Sequence, residues 1–243
     1  MMSRHAGGSL LGRGIAAVIL LQLSQCWRSP SVSPDDAGRS ASPPTATWLD
    51  GTNVQVFGPG SFIGHFLGAG HVSGIGRLSR DGGLFTFDDG ILWVSIPGEA
   101  GLGLRRVEAG TPFSATAKTM ALAQVSAWHE LPLQSDSHLG TLAPFVRRAA
   151  AGQGCSAPYI FRIQGRLSRL DLAPPAVSRL GPVEATLVGV VDASLPGAAP
   201  RSAMQVHAIV SAQKVSGFAR AATFAQGSRL LVPVCRPPGY LLR

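Results

Sequence analysis

Two apolar runs, LFTF at 84–87 and ILWV at 91–94, flank Asp88-Asp89-Gly90. An Asp-Gly pair in that setting fixes the local path of the chain. Gly accepts the positive φ that a tight turn demands, so the segment has to double back as a β-hairpin. The rest of the chain reads in the same way. Its 30 Gly and 18 Pro in 243 residues leave little room for long helices and punctuate many short strands. Residues 54–57 (VQVF) make a short strand bounded by Gly58-Pro59-Gly60. Residues 160–167 (IFRIQGRL) alternate apolar with polar side chains, 206–210 do so in part, and 183–191 (VEATLVGVV) form a longer, more apolar strand. Segments 218–224 and 230–234 complete the C-terminal set. The one helical pattern is 141–151, where Leu142, Phe145, Val146 and Ala149 share a face and Gly152 can end it. No internal repeat is found. The expected class is α+β, predominantly antiparallel or mixed β-sheet with few helices.

The formal charge of +8 raises the question of nucleic acid, and the placement of the charge answers it. All but Lys118 and Lys214 of the 21 basic residues are Arg, scattered singly or in pairs such as Arg105-Arg106 and Arg147-Arg148. No basic stripe with interleaved aromatics exists, as a single-strand or RNA platform needs, so no nucleic-acid partner is expected. Steering of an anionic ligand stays open. Only 14% of residues are charged while 45% are hydrophobic, which excludes disorder over the whole chain.

Residues 1–26 read as an export signal. Arg4, His5 and Arg13 precede the apolar run IAAVILLQL at 15–23, which is too short to span a bilayer. Leu23-Ser24-Gln25-Cys26 resembles a bacterial lipoprotein signal, with Gln25 where Gly, Ala or Ser is usual. Ser24 and Cys26 equally suit an ordinary signal peptidase, so acylation of Cys26 and its removal both stay open. The protein is expected to be exported, as a periplasmic, secreted or envelope-anchored species that meets membrane only through a lipid on Cys26. Residues 27–47, rich in Ser, Pro and Ala, read as a flexible tether, and a folded domain is expected over 48–243. Either fate of Cys26 leaves Cys155 and Cys235 as a pair in an oxidising compartment, joined or as two separate buried thiols.

Familiar catalytic signatures are missing. Gly70-His71-Val72-Ser73-Gly74 has the wrong spacing for a nucleophile elbow, Gly68-Ala69-Gly70 lacks the third Gly of a dinucleotide loop and reads as a turn, and C-x-x-C and H-E-x-x-H do not occur. His65, His71, His129, His138 and His207 are each too far from the next for a local metal pair on one strand or helix.

The order of segments carries a resemblance. Val54-Gln55-Val56-Phe57-Gly58, the hairpin from Arg80 through Gly90, Thr111-Pro112-Phe113, Tyr159-Ile160-Phe161-Arg162-Ile163-Gln164-Gly165, Thr186-Leu187-Val188-Gly189-Val190 and Gln205-Val206-His207 fall in the order of the α-acetolactate decarboxylase family, which the stretch 54–243 resembles. The resemblance implies a sheet-rich fold and zinc-dependent loss of carbon dioxide from 2-acetolactate to give acetoin. The metal stabilises the developing enediolate, an Arg holds charge on the substrate and a Glu delivers a proton. The zinc ligands implied are H-x-H on one strand and a third His eleven residues on, after a Gly.

At those positions this chain carries Gln205 and His207, then Phe218 after Gly217. Gly83 stands where the resemblance implies the Glu, and the implied Arg falls near Ala173, with Arg169 and Arg179 nearby. His207 is thus the single retained metal position, no catalytic residue is assigned, and no cofactor is expected. The reading is an exported member with a degenerate site and a binding or structural role toward an unidentified small molecule or protein. The alternative is an active decarboxylase whose zinc site recruits His65, His71, His129 or His138.

Overall fold

The computed structural model describes residues 53–80, 82–98, 101–173, 178–193 and 204–235. The segments read as export signal and tether lie outside the described residues.

The hairpin forms as the Asp-Gly turn requires. Strands β4 (Leu84–Asp88) and β5 (Ile91–Gly98) pair from Leu84 opposite Ser95 to Asp88 opposite Ile91. Asp89 and Gly90 take φ of 54° and 84°, the two positive values of a type I′ turn. Around this hairpin grows the first sheet, from β1 (Gln55–Phe57), β2 (Ser61–Phe62), β3 (Val72–Leu78), β6 (Gly101–Val107) and β7 (Thr116–Gln124), in the order β1-β7-β3-β4-β5-β6 with β2 also on β7. Phe85, Phe87, Leu92, Val94, Met120 and Leu122 alternate onto one face and form a buried cluster with Ile63 and Phe66.

The second sheet contains β8 (Trp128–Pro132), β9 (Tyr159–Ala173), β10 (Ser178–Leu180), β11 (Val183–Val191), β12 (Met204–Val210), β13 (Val215–Phe224) and β14 (Arg229–Pro233). The long β9 pairs with β11 through its first half and with β13 through its second. Since β11, β12 and β13 are neighbours in turn, four strands close into a ring. Phe161, Ile163, Leu167, Leu187 and Phe224 fill its core together with Val146 and Ala150 of the helix α1 (Ala143–Gly152). Each such fully buried large apolar side chain stabilises the fold by roughly 1.5–3 kcal/mol relative to exposure.

Every described strand pairing is antiparallel and the chain contributes one α-helix among the described residues, so the expected α+β class holds only approximately. The helix starts later than its apolar pattern predicts: residues Leu139–Thr141 form a 3-10 turn, Leu142 is the cap, and Pro144 sits in the first turn, where a missing N–H costs nothing. Gly152 belongs to the last turn, and the reversal falls to Gly154 at φ 80°. Cys155 and Cys235 are bonded, their Cα atoms 5.0 Å apart, which ties the end of α1 to the end of β14.

Candidate functional site

The two sheets meet along a seam where Ile75, Ala121, Ala123, Ile160, Val188 and Val190 pack together. Cross-strand partners share a face, so the registers define which other side chains point into it. On the second sheet Arg162 lies opposite Val188, Val188 opposite His207, and His207 opposite Phe218, a single row across four strands. On the first sheet the matching row runs Ala121, Ile75, Thr86, Trp93.

The rows join at His207. Its Nδ1 is hydrogen-bonded to Thr86 Oγ1 at 3.1 Å, between residues 121 positions apart. Burial pushes the imidazole down to about 3, against a backbone hydrogen bond with Phe85 that acts the other way, and the positive charge of Arg77 adds to the depression. The ring is therefore neutral at ordinary pH. Phe218 meets it edge to face, centroids 4.5 Å apart at 90°, and the Arg77 guanidinium stands 4.8 Å from the Phe218 centroid. Gln205, two residues before His207 and so on the same face, has a buried Nε2 without a hydrogen-bond partner.

A second group lies at the Arg162 end of the row. Arg162 is buried and places Nη2 2.6 Å from Asp88 Oδ1 and Nη1 3.7 Å from Asp89 Oδ2. Its guanidinium carbon lies 5.2 Å from the Trp128 ring centroid. Asp89 reaches outward to His71 Nδ1 at 3.2 Å, and its backbone N–H donates to Ser73 Oγ. Burial raises the Asp88 carboxyl above its ordinary value, Arg162 opposes that, and the neighbouring charge of Asp89 adds to the rise. The Nε of Arg162 and the indole Nε1 of Trp128 are buried donors without a partner.

The structure places the sequence-derived positions as follows. His207 and Phe218 are direct cross-strand neighbours, so eleven residues of spacing do become contact. Ala173 is the other cross-strand partner of Phe218. Arg169 and Arg179, the candidates to replace a missing Arg, both bind Asp171 instead. Arg162 is the buried arginine of the seam, and sequence reasoning passed over it although the alternation of 160–167 puts it on one face with Ile160 and Gln164. At Gly83 a Cβ would come within 2.8 Å of both Leu78 Cδ1 and the Ser95 carbonyl oxygen, so the backbone path here has no room for a glutamate. His65 rests against the Phe62 ring, His71 binds Asp89, His129 pairs opposite Val232, and His138 is hydrogen-bonded to Thr223. Among the described residues no three His, Cys, Asp or Glu side chains form a group able to hold a metal ion.

The donor set does not fit zinc. One imidazole is present, its Nδ1 is engaged by Thr86, and its nearest row neighbour is a phenyl ring, whereas a zinc site needs three protein ligands and an open position.

No family model and no curated protein matches the chain. Solved structures do. A protein of unknown function from Staphylococcus aureus, similar to alpha-acetolactate decarboxylase, is 10% identical with a TM-score of 0.52 over 72% of this chain and 77% of its own. Acetolactate decarboxylase from Bacillus subtilis subspecies spizizenii is 14% identical with a TM-score of 0.54 over 78% of this chain and 82% of its own. At such identities the likeness is one of fold.

Proposed function

We propose that this chain is an exported acetolactate-decarboxylase-like protein whose metal centre is degenerate, and that it serves as a binding or structural protein. The observation that carries this reading is the state of His207, a neutral, fully buried imidazole bonded to Thr86 and faced by Phe218. Its surroundings supply packing and one hydrogen bond, which is the economy of a core histidine. With one imidazole where three would hold a zinc ion, the positive charge that such a metal would supply to a developing enediolate is not provided. What the seam does hold is the buried Arg162, paired with Asp88 and stacked on the Trp128 indole, a polar contact that supports a structural role.

In this reading residues 1–26 direct export, 27–47 are a tether and 48–243 are the folded domain, with Cys26 either acylated or removed. The Cys155–Cys235 disulfide suits an oxidising compartment. No helix among the described residues is long and apolar enough to cross a membrane. Retention in membranes that Cys26→Ser abolishes assigns the lipid anchor, whereas release of both forms assigns signal cleavage.

The deciding experiment is elemental analysis of protein purified without a metal-binding tag, joined to an acetoin assay in added zinc. The expected result is substoichiometric zinc and no acetoin. Stoichiometric zinc with acetoin formation that His207→Ala abolishes overturns the reading and restores an active decarboxylase with ligands from elsewhere in the chain.

A further inference from the structure

On the side of the second sheet where α1 packs, the 3-10 turn, the start of α1 and the edge strand β8 line a half-open pocket of about 640 Å³. Leu131, His138, Thr141, Leu142, Phe145 and Arg148 are among its lining. That volume is in the range of small-molecule sites. The apolar part of the wall is Leu131, Leu142 and Phe145, and the lining contains no Asp or Glu.

Its two ionisable groups are His138 and Arg148, and both have capacity to spare. Arg147 is spent on Asp192, with Nε 2.7 Å from Oδ2, while Arg148 makes no ion pair among the described residues. His138 Nδ1 is hydrogen-bonded to Thr223 Oγ1 at 3.2 Å, and with the Thr223 hydroxyl as donor the ring keeps Nε2–H to donate to a ligand.

We infer that this cavity binds an organic anion with an apolar body, an alkyl or aryl carboxylate. The carboxylate is held by Arg148 and His138 Nε2, and the body lies against Leu131, Leu142 and Phe145. A cation finds no carboxylate in this wall. A neutral apolar molecule would leave the Arg148 guanidinium without the ion-pair partner that a carboxylate supplies. The site is separate from the seam, because Leu131 and Phe145 pack on the cluster shared with α1, whereas His207 and Arg162 face the first sheet. It therefore stands or falls independently of the metal question.

The test is calorimetric titration of the full mature chain with decanoate below its micelle concentration, with decyltrimethylammonium as the cationic control of equal chain length. Decanoate is expected to bind saturably at one site and the cation not to bind. Arg148→Ala should weaken decanoate about five-fold or more. Thr141→Trp, which fills the pocket from an exposed position and gives up one hydrogen bond to the His138 carbonyl, should abolish binding while the variant still unfolds cooperatively. His207→Ala should leave the affinity as it is. Absence of saturable decanoate binding, equal binding of the cation, or an Arg148→Ala variant of undiminished affinity overturns the inference.

Discussion

The hydrogen bond from His207 to Thr86 joins the middle strands of two separate sheets, one side chain from β12 and one from β4, at 3.1 Å. It sits where the two cross-strand rows meet, so the histidine acts as a polar pin in an otherwise largely apolar interface. Its worth depends on the ring staying neutral, because a protonated imidazole would be a charge without a counter-ion beside Arg77 and Phe218.

This makes stability pH-dependent in a definite direction. An unfolded histidine titrates at 6.5, while folding holds His207 down to about 3. Below pH 6.5 the unfolded chain takes up a proton that the folded chain refuses, so stability falls as the pH falls. The expected slope is roughly 1.4 kcal/mol per pH unit between about pH 6 and pH 4. Asp88, with its raised carboxyl, contributes in the opposite sense and is common to both proteins compared. Urea denaturation at a series of pH values should show the slope in the native protein and its loss in His207→Asn, which keeps a neutral partner for Thr86. Equal slopes would place the acid sensitivity elsewhere.

Arg162 and Asp88 give a second expectation. Replacing Arg162 by Met leaves a buried carboxylate unpaired and should cost about 3 kcal/mol. The double variant Arg162→Met with Asp88→Asn removes the orphaned charge and should recover most of that loss. Shifts in the denaturation midpoint measure both, and a double variant no more stable than the single one would mean that packing on Trp128, and not charge, is what Arg162 supplies.

These sites were unequally legible in the sequence. The 84–94 hairpin was readable because its signal is local, a turn pair between two apolar runs, and 183–191 was readable because a long apolar strand resembles little else. Strands β3 and β7 were not. They are buried on both faces, and VSGIGRL and TAKTMALAQ show no alternation, since Gly76 is there to admit the Phe85 ring and Ala121 to admit the seam. The resemblance picked out His207 and Phe218 as positions eleven residues apart, but the bond of His207 to Thr86 spans 121 residues and leaves no local trace. Arg162 was visible as one polar position in an alternating strand, yet nothing nearby marked Asp88 as its partner.

The disulfide should be present in the mature protein and should matter. It closes a sequence separation of 80 residues, for which the chain-entropy account gives about 4 kcal/mol. Mass spectrometry of unreduced protein should find the Cys155–Cys235 linkage. Reduction, or Cys155→Ala with Cys235→Ala, should lower the melting temperature by several degrees or more. Two free thiols in the native protein would refute the pairing.

The degenerate reading also makes a constructive demand. Positions 205 and 207 share a face of β12, and 218 lies directly opposite 207 on β13, with ring centroids already 4.5 Å apart. If zinc binding was lost through the residues and not through the backbone, Gln205→His with Phe218→His should rebuild three converging imidazoles. The double variant should take up zinc stoichiometrically, as measured by elemental analysis, and should gain thermal stability when the metal is added. Neither change is expected of the unaltered protein. His207→Ala introduced on top of the pair should remove the gain. Acetoin production is not expected of the double variant, because position 83 has no space for a glutamate. A double variant that folds but binds no zinc would show that these strands do not present a metal site, and would weaken the case that this row descends from one.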